Sequence, residues 1–253
     1  MKNIVLAAGY ATRLYPVTEN FPKPLLEIGG ISILDRLIKD IDTLDEIDQH
    51  LIVSNHKFLP HFEKWASESR YTKKITIIDD GTVDNENRLG AIRDLLLAIE
   101  VERLQDDLLV IAADNIVNFS FQGFIDYFKE KQTSLIMTYY EPELSTLRRT
   151  GVITMDQDNK VLDMQEKPET PPSHFATPPF YIYKKSDVAL IKTSIEAGCH
   201  ADAPGNLVKL MLNKTVFHAW PMPGKRYDIG TLETYYQLKN SPKHPPYPPS
   251  KGE

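Results

Sequence analysis

Cysteine is almost missing from this sequence: Cys199 stands alone among 253 residues. No intrachain disulfide and no thiolate cage for a metal can therefore form, which suits a reducing compartment and gives the cytoplasm as the expected location. Long hydrophobic runs are missing too. Ile4 to Ala8 is the continuously apolar run near the start and Leu108 to Ala113 the longest elsewhere, both too short for a signal-peptide core or a membrane span, so neither export nor a membrane partner is expected. There is no excess of positive charge. Lys and Arg number 29 against 35 Asp and Glu, a net charge of −6, so the broad cationic surface that holds nucleic acid or anionic lipid is excluded and polyanion binding must be local. No internal repeat and no hexapeptide periodicity occur, so no β-helix extension is expected. Neither Gly-x-x-x-x-Gly-Lys-Ser/Thr nor Gly-x-Gly-x-x-Gly is present, which removes the P-loop and the dinucleotide fingerprint.

What is there is ordinary globular composition, with 42% hydrophobic and 25% charged residues, enough to bury a core. Lys2 to Ala7 is too continuously apolar for a half-exposed strand and reads as a buried parallel one. Ser32-Ile33-Leu34-Asp35 is a capping box ahead of Leu34, Leu37, Ile38 and Ile41 at helical spacing, predicting a helix over about 33–41. The cycle repeats with strands at 51–53, 75–78 and 108–111 and helices at 58–67 and 91–100. Such alternation implies right-handed crossovers and a doubly wound α/β sheet. Beyond about residue 130 the pattern is less regular, with strands at 135–140, 152–155, 161–164 and 180–183 and helices at 187–197, 207–212 and 232–238. The sheet is therefore expected to be mixed but mostly parallel, in one composite Rossmann-like domain over 1–240. Pro168 to Pro179 holds five of the 18 prolines and reads as a loop. Residues 241–253 hold five more and read as a disordered tail.

The first strand runs into Ala7-Ala8-Gly9-Tyr10-Ala11-Thr12-Arg13, and the carboxyl end of a parallel strand is where open α/β sheets bind ligands. Gly9 and its small neighbours let backbone N–H groups approach a phosphate, and Arg13 adds a permanent cation. In Phe21-Pro22-Lys23-Pro24 two prolines stiffen the support of one ammonium. Alone, these segments read as a strand-to-loop turn with a surface Arg and Lys, which for a lone Gly-x-x-Thr-Arg is the preferred reading. Asp114, after the strand at 108–111 and two alanines, should face the same crevice, where a carboxylate suits magnesium; alone, an Asp-Asn pair is more often a turn.

Taken together, Leu6 to Thr18 and Pro22-Lys23-Pro24 resemble the opening of the nucleotidyltransferases that make sugar nucleotides. The later landmarks fall in that family's order: Arg88-Leu89-Gly90-Ala91, Asp114-Asn115, Gly151-Val152, Glu166-Lys167-Pro168 and Tyr227-Asp228-Ile229-Gly230-Thr231. The resemblance implies a nucleotide-binding half over 1–130 and a sugar-phosphate-binding half over 131–240. It implies nucleotide contacts from Leu6, Ala7, Ala8, Gly9, Asn85, Asn87 and Gly90, and catalytic roles for Arg13 and Lys23. Gly151, Glu166 and Lys167 would hold the sugar phosphate, and Asp114 with Asp228 a Mg2+ ion. Pro168 is expected to force an extended backbone at Lys167. Asn85 or Asn87 can read a pyrimidine edge or cap the helix starting near Ala91.

The activity this implies is transfer of a nucleotidyl group from a nucleoside triphosphate, a pyrimidine one favoured, to a sugar 1-phosphate, giving a nucleoside diphosphate sugar and pyrophosphate. A cytidylyltransferase acting on phosphocholine or a similar phosphorylated alcohol, and a non-catalytic sensing subunit, are the alternatives. A homo-oligomer is left open. Two positions depart from the family pattern, Ala11 and Ala113, where glycine is usual; a methyl at 11 either fits a negative φ or brings strain. His56, His61 and Cys199-His200 are set aside as isolated, and Tyr139-Tyr140 and Phe180 to Tyr183 are assigned to the core.

Overall fold

A computed structural model describes residues 1–199 and 202–241. Its strands are β1 (Lys2–Leu6), β2 (Glu27–Ile28), β3 (Ile31–Ser32), β4 (Gln49–Ser54), β5 (Lys74–Asp79), β6 (Leu108–Ala112) and β7 (Asn115–Val117). They continue with β8 (Ser134–Tyr140), β9 (Gly151–Met155), β10 (Val161–Glu166), β11 (Phe175–Thr177), β12 (Phe180–Tyr183), β13 (Phe217–Pro221) and β14 (Arg226–Asp228). The helices are α1 (Ile33–Ile41), α2 (Leu59–Glu68), α3 (Ala91–Val101), α4 (Gln122–Lys131), α5 (Leu144–Leu147), α6 (Val188–Glu196), α7 (Pro204–Met211) and α8 (Leu232–Lys239). The Pro-rich tail expected at 241–253 lies, apart from Ser241, outside the described residues.

The chain forms two compact units assembled from discontinuous segments. One comprises Met1–Ile4, Leu89–Ile111 and Phe124–Met222. Its strands run in the order β10-β9-β11-β8-β12-β6, each antiparallel to its neighbour, with β13 beside β8 in parallel. Leu108, Leu109, Leu135, Ile136, Phe180 and Ile182 are fully buried, as the apolar runs require. The other unit comprises Val5–Arg88, Ala112–Gly123 and the segment from Pro223 onward. Here β4 and β5 pair in parallel, and β14 pairs antiparallel with β7.

Helix α1 forms where the capping box places it. Ser32 Oγ accepts the Asp35 N–H at 2.9 Å and donates to the Asp35 carboxylate at 2.6 Å, and Ile33, Leu34, Leu37, Ile38 and Ile41 bury one face completely. A second apolar cluster joins Leu14, Leu26, Ile28, Ile33, Ile116, Ile229 and Tyr235. Each fully buried Leu or Ile contributes about 1.5–3 kcal/mol. That cluster ties together the segments carrying Arg13, Lys23, Asp114 and Asp228, all within this unit.

Three readings need correction. Pro168 to Pro179 is not all loop: Phe175–Thr177 forms β11 between β8 and β9, because these three residues contain no proline and can donate to both ladders. Lys167 is not extended, having φ +48°. Its N–H donates to the Thr150 carbonyl at 3.0 Å, and this bond at the strand end outweighs the local preference of a pre-proline residue. Tyr140 is not core; it is 64% exposed and stacks on His174 at 5.4 Å between ring centroids. Strands β2, β3, β7, β13 and β14 and helices α4 and α5 lie outside the predicted elements, although Phe124, Ile125 and Phe128 of α4 stand at helical spacing.

Candidate active site

The unit holding the N-terminal turn gathers most of the candidate residues. At the end of β1, the Ala7 N–H donates to the Val53 carbonyl at 2.9 Å and the Leu6 carbonyl accepts the Ala113 N–H at 3.1 Å, fixing the strand end. Asn55 Nδ2 donates to the Ala8 carbonyl at 2.9 Å. Gly9 is exposed, and an added Cβ there would meet no heavy atom within 4 Å. Ala11 sits in the left-handed region, φ 47° and ψ 42°, so of the two possibilities open at this position the strained one holds, at a cost of about 1–2 kcal/mol. Its carbonyl accepts the Thr18 hydroxyl at 2.8 Å and the Leu14 N–H at 2.9 Å, which keep the loop closed. Arg13 follows, exposed, in a short 3-10 turn spanning Thr12–Leu14.

Lys23 opens a second 3-10 turn, Lys23–Leu25, after Pro22. Its side chain is 9% exposed and its ammonium donates to Asp114 Oδ2 at 3.0 Å. Burying an ammonium without a partner is expensive, so this pair is held together by necessity. Asp228 reaches the same place through the β14–β7 ladder, where it stands opposite Asn115. The Ile229 N–H donates to the Asp114 carbonyl at 3.3 Å, adding one more tie between the two aspartates' segments. Desolvation pushes the Asp228 carboxyl above the usual carboxylate range, and the negative charge of Asp114 pushes the same way; Arg226, Lys23 and Arg13 oppose it. The Asp228 side chain keeps 54% of its exposure, so the neighbouring charge is the firmer of the two causes. Arg13, Lys23, Asp114 and Asp228 thus share one electrostatic neighbourhood.

Two further residues complete this network: Asn115, expected only to shape a turn, and Arg226, which the sequence did not single out. Asn115 Nδ2 donates to Asp114 Oδ1 at 2.6 Å, while its Oδ1 accepts from Arg226 Nη1 at 2.6 Å. Arg226 Nη1 lies 3.8 Å from Asp228 Oδ2. Asn115 is therefore more than a turn former: its amide bridges an aspartate and an arginine. A signal for Arg226 existed, since residues two apart on a strand share a face.

In the loop after β5, Asn87 Nδ2 donates to both oxygens of Asp84, at 3.0 and 2.9 Å, and Asn85 offers its carbonyl to Arg88 Nη1 at 2.9 Å. Neither asparagine caps α3, whose N-cap is Gly90 at φ 88°. Tyr10 and Thr82 join their hydroxyls at 3.0 Å.

The other unit carries Gly151, Glu166 and Lys167. Gly151 opens β9 opposite Glu166, the last residue of β10. The Gly205 N–H, in the first turn of α7, donates to Glu166 Oε1 at 2.9 Å. Burial pushes the Glu166 carboxyl up, and this hydrogen bond and Lys167 pull it back.

Among the described residues no three His, Cys, Asp or Glu side chains cluster as a metal cage. Asp114 and Asp228 nevertheless fit magnesium by donor chemistry: hard oxygens on two adjoining segments, repelling one another, with the remaining positions left to water and phosphate. Among the same residues no helix is long and apolar enough to cross a membrane.

A mixed sheet with flanking helices, an open glycine turn after β1, and a buried lysine paired with a strand-end aspartate define a class of α/β proteins suited to phosphate chemistry. Within it the chain is more particular. A family model described as "Nucleotidyl transferase" matches residues 2–243, and the chain belongs to that family. A glucose-1-phosphate adenylyltransferase of Fervidobacterium nodosum is 26% identical over 255 residues, covering 94% of this chain and 60% of that protein. The bifunctional protein GlmU of Methanocaldococcus jannaschii is 32% identical over 197 residues, covering 77% of this chain and 43% of its own. The chain thus spans about three-fifths or less of the length of these curated relatives. In fold it resembles a UDP-glucose pyrophosphorylase complexed with UDP-glucose, with a TM-score of 0.79 at 20% identity, over 94% of this chain and 97% of that one.

Proposed function

We propose that this protein transfers a nucleotidyl group from a nucleoside triphosphate to a sugar 1-phosphate, releasing pyrophosphate. The observation that carries the proposal is the gathering of Arg13, Lys23, Asp114 and Asp228, drawn from segments more than 200 residues apart, around one salt bridge. The phosphate monoester is already the nucleophile, its second pKa being about 6, so no activated serine, cysteine or histidine is required. What opposes reaction is the approach of one anion to another. At 4 Å and an effective dielectric of about 20, each pair of unit charges costs about 4 kcal/mol. Fixed cations offset that cost, and positioning does the rest.

In this reading Arg13 binds the departing pyrophosphate, Lys23 the α-phosphate and the charge that develops on it, and Lys167 the incoming sugar phosphate. The turn at Ala8 and Gly9, carried on the strand end at Leu6 and Ala7, presents backbone N–H groups to the triphosphate. Asp114 and Asp228 would hold magnesium, which when bound supplies positive charge to phosphate oxygens. Asn115 and Arg226 orient the two carboxylates. Glu166 accepts hydrogen bonds from sugar hydroxyls, beside Gly151. The base is assigned to the loop between Thr82 and Gly90, with a pyrimidine preferred, because the amide of Asn85 can donate and accept at one edge. The reducing cytoplasm is the proposed location, on the single Cys199.

The test is pyrophosphate release, with magnesium, from each common nucleoside triphosphate against a panel of sugar 1-phosphates, phosphocholine included. Release with a sugar 1-phosphate is the expected result. Release with phosphocholine alone would replace the acceptor, and tight nucleotide binding without any release would replace catalysis by sensing.

A further inference from the structure

We infer that Gly205 is a positioning residue for Glu166, holding one carboxylate oxygen so that the other meets the acceptor; this rests on the proposal that Glu166 binds the sugar. Glu166 ends β10, and its Oε1 accepts the Gly205 N–H at 2.9 Å. Gly205 follows Pro204 in the first turn of α7, where backbone N–H groups lack helical partners and negative charge is favoured. A side chain at 205 would displace that carboxylate. A Cβ there would run into the Met164 methyl and Glu166 Oε1, and would stand 2.9 Å from Glu166 Cδ. Gly151 closes the other side: a Cβ on it would meet the Met164 methyl and Thr177 Oγ1 at 2.5 Å and Glu166 Oε1 at 3.5 Å. Met164 and Glu166, two apart on β10, share a strand face, so the methionine forms the apolar floor beneath the carboxylate.

Two glycines from distant segments therefore shape one slot for one carboxylate. At Gly205 the struck atoms are the ends of flexible side chains, so filling that slot moves Glu166 and Met164 more readily than it breaks the fold. Burial pushes the Glu166 carboxyl up and the Gly205 N–H pulls it down, so loss of the bond leaves the acid easier to protonate.

The experiment compares Gly205→Ala with the parent enzyme in steady state. KM for the sugar 1-phosphate should rise about tenfold or more, on the general cost of a misplaced binding group, with KM for the nucleoside triphosphate changed less than about twofold. The acidic limb of kcat/KM for the sugar phosphate should move to higher pH. In a Glu166→Gln background the same alanine should add less than about twofold, because its effect passes through the carboxylate. If Gly205→Ala alone does not fold, Met164→Ala combined with it removes the struck methyl and still displaces Glu166. An unchanged sugar-phosphate KM, or an equal penalty in the parent and Glu166→Gln backgrounds, overturns the inference. A parent enzyme inactive on every sugar 1-phosphate overturns the functional reading and this inference together, whereas an active parent with an unaffected variant overturns the inference alone.

Discussion

Gly9→Ala separates folding from binding, because the two respond with opposite sign. Gly9 has no positive φ, and its added Cβ would find no heavy atom within 4 Å, so alanine fits the folded chain. Where the backbone is compatible, replacing glycine by alanine stabilises by about 0.4–1 kcal/mol through the unfolded state. For a chain of this size each kcal/mol moves Tm by about 2–4 °C, so a rise of about 1–4 °C is expected. Binding should go the other way. If the open space over Gly9 is where a triphosphate meets backbone N–H groups, the methyl stands in its path and displaces one charge-assisted hydrogen bond, worth about 1.5–3 kcal/mol. Nucleoside triphosphate affinity should then fall by about 10- to 150-fold. Thermal unfolding of both chains, with calorimetric titration of the nucleotide, reads the two effects independently. Unchanged affinity would show that no phosphate approaches Gly9, and a stability loss above about 1 kcal/mol would show that its backbone does not tolerate a side chain.

Ala11→Gly relieves a left-handed alanine worth about 1–2 kcal/mol and adds a glycine entropy cost of about 0.5–1 kcal/mol, so Tm should hold or rise slightly; a drop of several degrees would contradict the strain. Lys23→Met and Asp228→Asn should each lower turnover about a hundredfold, measured as pyrophosphate release, and near-parental rates in either would remove that residue from the site. His50 is fully buried beside Asp42, 3.3 Å away, and burial holds its imidazole below the ordinary 6.5. Above that pH it is neutral folded or unfolded; below it the unfolded chain takes the proton first, so this contribution to stability is lost as pH falls through the folded-state value. Tm of the parent should therefore drop between pH 7 and 5 by more than that of His50→Gln, and parallel curves would refute the assignment.

Much of this arrangement was written in local patterns. The capping box gave α1 both its start and its cap, since a hydroxyl three residues before an N–H needs no distant partner. The apolar runs at 108–111 and 180–183 became buried strands because continuous hydrophobicity has few other uses. The family's landmark residues were legible as residue types in order. Local rules failed where long-range bonds outweighed them: Lys167 took a positive φ next to a proline, and Phe175–Thr177 entered the sheet's interior amid prolines.

What sequence determined by itself was chemistry: which cations and carboxylates the chain possesses, on which stiff turns and strand ends, since side-chain identity and short-range backbone preference are properties of neighbouring residues. What tertiary structure alone decided was company. The three-residue strands β7 and β14, too short to announce themselves, set Asp228 opposite Asn115 and let Arg226 meet its amide; the helix α7 brought Gly205 to Glu166, 39 positions away. Such meetings depend on the packing of elements far apart in sequence, and no local pattern encodes the distance between them.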